Sequence, residues 1–380
     1  MRLEARERLL HLFEERIYTS SLKDLSGWDR AALGVHFPDV HLSFSGDDLR
    51  RYIFDRELPN NCLEIAKQKV ANLMSLRELA HLEPCNILLT PGATAAISVI
   101  AHYLKSCGVR VLITDPPFYF SVKKLCDALG IQFFSAAKSI EEIDDYRPLF
   151  RLLERFRNEK KALILTNPKY VISCNYPEQV LAEVAGFLSH DDHVIIDKSV
   201  DMEFSRPEES FRDDVRLIKI RTIGKSISIN GSRLATIIAG PEVIARLNRH
   251  ASILYGSLDI AMLKLGSLLA DNPDSFKHHL LAIKSLVEEN VLEARLLLGG
   301  TPFEVAQPEN GFLSYVNIDT SKFGRFVLYQ SLLRESVHAM FSAHIGLRQL
   351  YSREIVRVNY LLDIRAGLMA LGRVAATHIK

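Results

Sequence analysis

The stretch "RTIGKSISINGSRLA", residues 221–235, sets Thr222, Lys225 and Arg233 among small and hydroxyl residues, between two apolar runs. A lysine withdrawn from water loses its proton readily and can form a Schiff base with an aldehyde. An arginine can clamp a phosphate through two parallel N–H bonds. A covalently held aldehyde that carries a phosphate would use both. Taken alone, the commoner reading of Lys225 is a solvated loop charge.

Four further segments bear on that choice. "TPGATAAI" (90–97) places Gly92, Ala93 and Thr94 where a helix opens after a strand. Backbone N–H groups at such a point bind phosphate well, although most matches of this kind are ordinary helix caps. "DPPFYF" (115–120) ends a strand and presents Phe118 or Tyr119, either as a packed core ring or as a ring facing a ligand. "LTNPKYVIS" (165–173) carries Asn167 and Tyr170 in a turn marked by Asn-Pro. Asp197 closes the apolar run "HVIID", and a carboxylate there is costly unless it is paired. A cationic ring nitrogen would pair it; so would a helix cap or a salt bridge. Lys198 and Asp201, close by, read as substrate contacts or as a solvated loop.

The elements that must position these residues alternate between 60 and 240. The pattern predicts helices at 62–76, 92–106 and 177–188. Strands are expected at 86–89, 109–115, 161–166, 193–197, 216–222 and 234–240. Short continuous apolar strands separated by helices predict an α/β fold with a mostly parallel sheet covered on both faces. Ligands of such sheets bind beyond the carboxyl ends of the strands, and most of the candidate residues fall at those ends. Past 241 helices dominate, with a long one near 274–298. Two strand-like pieces, "FLSYVNI" and "IVRVNYL", then precede a final helix. The reading is a large α/β domain over 50–270 and a smaller α+β domain from 1–49 and 271–380. An amphipathic N-terminal helix, with Leu3, Leu9, Leu10, Phe13 and Ile17 on one face, is expected to join the smaller domain.

With 380 residues, 48% of them apolar and 24% charged, the composition is that of a soluble enzyme. The net charge of +1 gives no electrostatic case for nucleic acid or anionic lipid. No apolar run is long enough to span a bilayer, and the charged N-terminus lacks a signal-peptide core. Five scattered cysteines without CxxC spacing exclude a disulfide framework or zinc site and imply a cytoplasmic setting.

The order and spacing of these segments resemble the class I/II aminotransferase family, enzymes of fold type I that use pyridoxal 5'-phosphate. The resemblance runs over roughly 50–240 and extends to "IVRVNYL". It implies Lys225 as the Schiff-base lysine and Asp197 as the partner of the pyridinium nitrogen. It also implies Gly92, Ala93, Thr94, Thr222 and Arg233 around the phosphate, and Phe118 or Tyr119 against the ring. Arg357, in "VRVNY", resembles the family's arginine for the substrate α-carboxylate. An aminotransferase acting on an α-amino acid follows, with a 2-oxo acid as second substrate and a homodimer as the assembly. Tyr52 is placed to reach a partner's site, a packed tyrosine being the plainer reading.

The chain departs from the family where NPxNPTG would stand. Tyr170 occupies the position of the second Asn, beside Asn167, whose own amide is a candidate cofactor contact. The family's D-x-x-Y is replaced by Asp197-Lys198-Ser199-Val200. Tyr170 therefore reads as a substitute donor to the cofactor's phenolic oxygen, or as a packed ring. These departures point to a second reading on the same cofactor: a lyase, cyclase or oxidase, as in the capreomycidine-synthase-like branch.

Overall fold

The structure, a computed structural model, describes residues 11–12, 23–25, 43, 45–54, 62–204, 211, 216–225, 233–350 and 352–378, without the side chains of 51–54 and 378. Nearly all of the expected N-terminal helix, and the side chain of Tyr52, lie outside these residues.

A short first strand, β1 (Lys23–Asp24), is followed by helices α1 (Gly46–Phe54) and α2 (Cys62–Glu78). The apolar runs then form the main sheet. Its strands are β2 (Ile87–Thr90), β3 (Val111–Thr114), β4 (Gln132–Ser135), β5 (Lys161–Thr166), β6 (His193–Lys198), β7 (Arg216–Thr222) and β8 (Ala235–Ala239). They lie in the order β2-β8-β7-β6-β5-β3-β4. All neighbours run parallel except β8, which is antiparallel to both β2 and β7. The mostly parallel sheet read from the sequence is thus observed.

Alternate residues of each strand point to opposite faces. Leu112, Ile164, Ile195 and Ile220 pack against α3 (Ala93–Ser106) and α7 (Pro241–Leu254). Val111, Ile113, Leu163 and Ile196 pack on the other face against α5 (Arg147–Arg155) and α6 (Glu178–Ala185). Both faces are therefore apolar, which is why β5 and β6 read as uninterrupted apolar runs. Helix α4 (Ser121–Leu129) joins β3 to β4, and α8 (Ile260–Asp271) packs with α2 beside β2 and β8. Gly130 ends α4 in the left-handed region, at φ 65°.

Beyond the long helix α9 (Pro273–Leu297) lies a second sheet. It is antiparallel, in the order β12 (Met340–Phe341), β13 (Arg353–Asn359), β10 (Leu313–Asp319), β9 (Phe303–Val305). Strand β11 (Val337–His338) pairs in parallel with β1. Helices α10 (Gly324–Arg334) and α11 (Arg365–His378) cover this unit. Its apolar cluster also takes in Leu25 near the N-terminus and Tyr170, Val171, Val200 and Met202, which follow β5 and β6 of the main sheet.

Candidate active site

The loops after β5, β6 and β7 meet the start of α3 and strand β13 in one place. Asp197, the penultimate residue of β6, is 5% exposed. Burial pushes its carboxyl above the usual carboxylate range, while Ser199 and Lys225 pull it back down. Ser199 supplies both a backbone N–H at 2.9 Å and its hydroxyl to the same carboxylate oxygen. Lys225 sits half-buried just past β7. Burial lowers its ammonium pKa to about 8; Asp197 raises it, and Arg233 and Arg357 lower it further. An amine so held is neutral in about a tenth of molecules at pH 7 and in about half at pH 8, and only the neutral form is a nucleophile.

Gly92 caps α3 with φ 90°. A Cβ built on it would lie 3.2 Å from Arg233 Nη2 and 3.3 Å from its Cζ, so the exposed guanidinium rests directly on the glycine. The first N–H groups of a helix have no carbonyl in that helix to bond. Together with Arg233 they set donors of the kind that bind anions beside Gly92, Ala93 and Thr94. Ala93 is buried; Thr94 is exposed and its hydroxyl lies 3.4 Å from that of Tyr119. Thr222 ends β7, and its hydroxyl donates to the Ser199 carbonyl at 2.7 Å.

The choice between Phe118 and Tyr119 resolves on packing. Phe118 is buried, stacks edge-on against Phe133 with ring centroids 5.1 Å apart, and fills the space beside Gly346. Tyr119 is half-buried and turns its edge to Tyr170 at 6.2 Å. Tyr119 is therefore the ring on the site side. Asn167 accepts a bond from Tyr176 N through Oδ1 at 3.1 Å, and its own N–H donates to the Asp197 carbonyl at 3.0 Å.

Tyr170 is buried, and its hydroxyl accepts a hydrogen bond from Arg357 Nη1. Arg357 comes from β13, the strand next to the edge of the second sheet, and is 1% exposed. The structure thus brings Lys225, Asp197, Gly92, Arg233, Tyr119, Tyr170 and Arg357 into one region. Phe118 lies just behind it.

Some supporting residues carried no signal in the sequence. Ser199 is one, since Asp-x-Ser is a common turn. A buried charge network behind β7 is another. Glu78 pairs with Lys219 at 2.6 Å and with Arg221, and Arg221 pairs with Asp201 at 2.8 Å. Arg77 donates to the carbonyls of Thr222 at 3.2 Å and Asp201 at 2.9 Å. Asp201 is thus internal and ion-paired, which excludes the solvated-loop reading; Lys198 is likewise buried. Among the described residues no group of His, Cys, Asp or Glu is placed to hold a metal ion. No described helix is long and apolar enough to cross a membrane.

A parallel seven-stranded sheet with one antiparallel strand, and a lysine past β7 facing an aspartate on β6, define the fold type I class. The family model for aminotransferase class I and II matches residues 56–363, and the chain belongs to that family. It is 25% identical over 232 residues to the histidinol-phosphate aminotransferase of Citrifermentans bemidjiense, covering 60% of this chain and 59% of the relative. It is 24% identical over 279 residues to human tyrosine aminotransferase, covering 69% and 59%. The matches thus span 59% of the length of each of these two curated relatives. Aspartate aminotransferase from Thermus thermophilus with maleate superposes with a TM-score of 0.71 at 17% identity, covering 98% of this chain and 96% of that one. Substrate-bound BacF from Bacillus subtilis gives 0.72 at 13% identity, covering 98% and 94%. At these identities the structural likeness speaks to the fold alone.

Proposed function

We propose that the chain is a pyridoxal-phosphate-dependent aminotransferase acting on an α-amino acid, with a 2-oxo acid as the second substrate. The observation that carries this reading is the pair Lys225 and Asp197: a desolvated amine with a pKa near 8 facing a buried carboxylate. The fit to the cofactor is supported by Gly92, where any Cβ would press on Arg233 and spoil the anion site. Gly92, Ala93, Thr94 and Arg233 would hold the phosphate, with Thr222 near them. Tyr119 would lie against the ring, Asn167 would contact it, and Asp197 would meet its nitrogen. Bound there, the cofactor supplies an aldehyde carbon and a ring that accepts electrons.

The protein's own groups do the rest. Asp197 holds a proton on the ring nitrogen through its charge. Lys225 Nζ takes and returns the substrate Cα proton as general base and acid, with a pKa close to working pH. Arg357 fixes the α-carboxylate and so orients the Cα–H bond. Burial of Asp197 and Arg357 strengthens the charge interactions these two make.

The lyase, cyclase or oxidase reading of the capreomycidine-synthase-like branch rests on Tyr170 and Val200, which stand where the family has Asn and Tyr; the aminotransferase names of the relatives favour transfer. The division into 50–270 and 1–49 with 271–380 follows the two sheets and stands as part of this proposal. A homodimer in the cytoplasm is the proposed assembly. Exposed Ile253 and Leu254, at the end of α7, give such a contact apolar surface to cover. The test is a two-step absorbance experiment. An amino acid should convert the bound cofactor to its amine form, and a 2-oxo acid should restore the aldehyde form. Release of ammonia with no restoration by any 2-oxo acid would reject transfer in favour of the second reading.

A further inference from the structure

We propose that Tyr170 is a substrate-binding residue: with Arg357 it forms a two-residue receptor for the substrate α-carboxylate, the arginine donating N–H and the phenol donating O–H. The proposal rests on the aminotransferase reading above and assigns to Tyr170 a partner other than the cofactor's phenolic oxygen.

The hydroxyl of Tyr170 takes a hydrogen bond from Arg357 Nη1, so one of its lone pairs is used. Its single proton must then go to an acceptor. Among the described residues no acceptor receives it, and the side chain is 3% exposed. Burial raises the phenol above its ordinary value, and the Arg357 charge only partly offsets this, so the proton stays on the oxygen at neutral pH. A buried O–H donor with a guanidinium at its back suits an anionic acceptor that can also meet the guanidinium. A carboxylate has two oxygens and does both.

The backbone supports a dedicated placement. Val171 and Ser173 adopt φ of 70° and 56°. For a β-branched valine this is a strained conformation that persists only where surroundings enforce it. They do so here. Ser173 O accepts from Asn310 N at 2.7 Å and Glu309 N at 3.1 Å, and Ser173 Oγ donates to the Leu313 carbonyl at 2.5 Å. Gly311 allows the close approach: a Cβ there would lie 3.0 Å from Ser173 Oγ. The loop after β5 is thereby pinned to the strand that pairs with β13, which fixes Tyr170 over Arg357, whose Cζ lies 5.7 Å from the phenol ring centroid.

The test is Tyr170→Phe in the cofactor-loaded protein, a change that conserves volume and apolar contact. Wild type is first screened by absorbance against the twenty amino acids. The best substrate and its decarboxylated amine are then titrated against both proteins. The expected result is an apparent Kd for the amino acid raised about 10-fold or more, the loss of a hydrogen bond to a charged group. The Kd for the amine, the melting temperature and the pH of the cofactor's colour change should all stay put. An unchanged Kd for the amino acid overturns the proposal, as does an equal loss for amino acid and amine. A shifted colour-change pH with unchanged Kd overturns it too, and assigns the hydroxyl to the cofactor. A wild type that binds the cofactor yet reacts with none of the twenty rejects the aminotransferase reading itself, and the proposal falls with it.

Discussion

Arg233 lies flat against Gly92, its Nη2 3.2 Å from where a Cβ of residue 92 would stand. The glycine has φ 90°, so a side chain there meets both strain and the guanidinium. Gly92→Ala should therefore push Arg233 off the anion site. Strain of about 1–3 kcal/mol translates to a cofactor affinity weakened about 10-fold or more. Equilibrium dialysis of pyridoxal phosphate against both proteins checks this; equal affinities would separate Arg233 from phosphate binding.

The second expectation concerns Lys225. Burial, aided by Arg233 and Arg357 and opposed by Asp197, brings its pKa to about 8. Only the neutral amine attacks an aldehyde, so the rate of cofactor attachment should climb between about pH 7 and pH 9 and then level off. Borohydride should fix the cofactor to the peptide that contains Lys225. Label on any other lysine would reject the role.

Asp197→Ala should hurt turnover far more than cofactor retention, because the anion site at Gly92 and Arg233 is left intact. Removing one member of a buried charge pair costs about 3–5 kcal/mol, a fall in kcat of roughly two to four powers of ten. Near-normal turnover with the cofactor retained would remove Asp197 from the chemistry.

The network behind β7 makes a stability prediction. Burial pushes Glu78 upward, but Arg221 and Lys219 outweigh it and hold the carboxyl at about 2, below its ordinary 4.5. A depressed carboxyl pKa stabilises the fold above the unfolded value and loses that contribution as pH falls through the folded one. The loss should occur between about pH 4.5 and pH 2 in wild type and be smaller in Glu78→Gln. At pH 7 the variant should be less stable by about 3 kcal/mol, since it leaves buried cations short of a counter-charge. Urea unfolding across this pH range checks both statements.

How much of this was legible depended on distance along the chain. Strands β5 and β7 were read to the residue, because both are short apolar runs with sharp polar ends. Helix α6 came out shorter than 177–188, because residues past Ala185 continue only as turns. Lys225 and Asp197, each ordinary taken alone, could be named because their order and spacing with the other segments resemble the aminotransferase family. Phe118 and Tyr119 could not be told apart, since Gly346, which makes room for Phe118, is remote in sequence. The contact between Tyr170 and Arg357 spans 187 positions and depends on left-handed backbone at Val171 and Ser173, which no local pattern announces.

The apolar cluster of the second sheet borrows Tyr170, Val171, Val200 and Met202 from the loops that follow β5 and β6. The C-terminal third of the chain is therefore not an autonomous folding unit. Expressed as a fragment, it would carry a hole where those four side chains belong. During synthesis the two loops emerge first and wait for β10 and β13, so closure of that core is a long-range event that comes late. A cut between the two sheets opens this cluster, and the C-terminal piece should not melt cooperatively by itself.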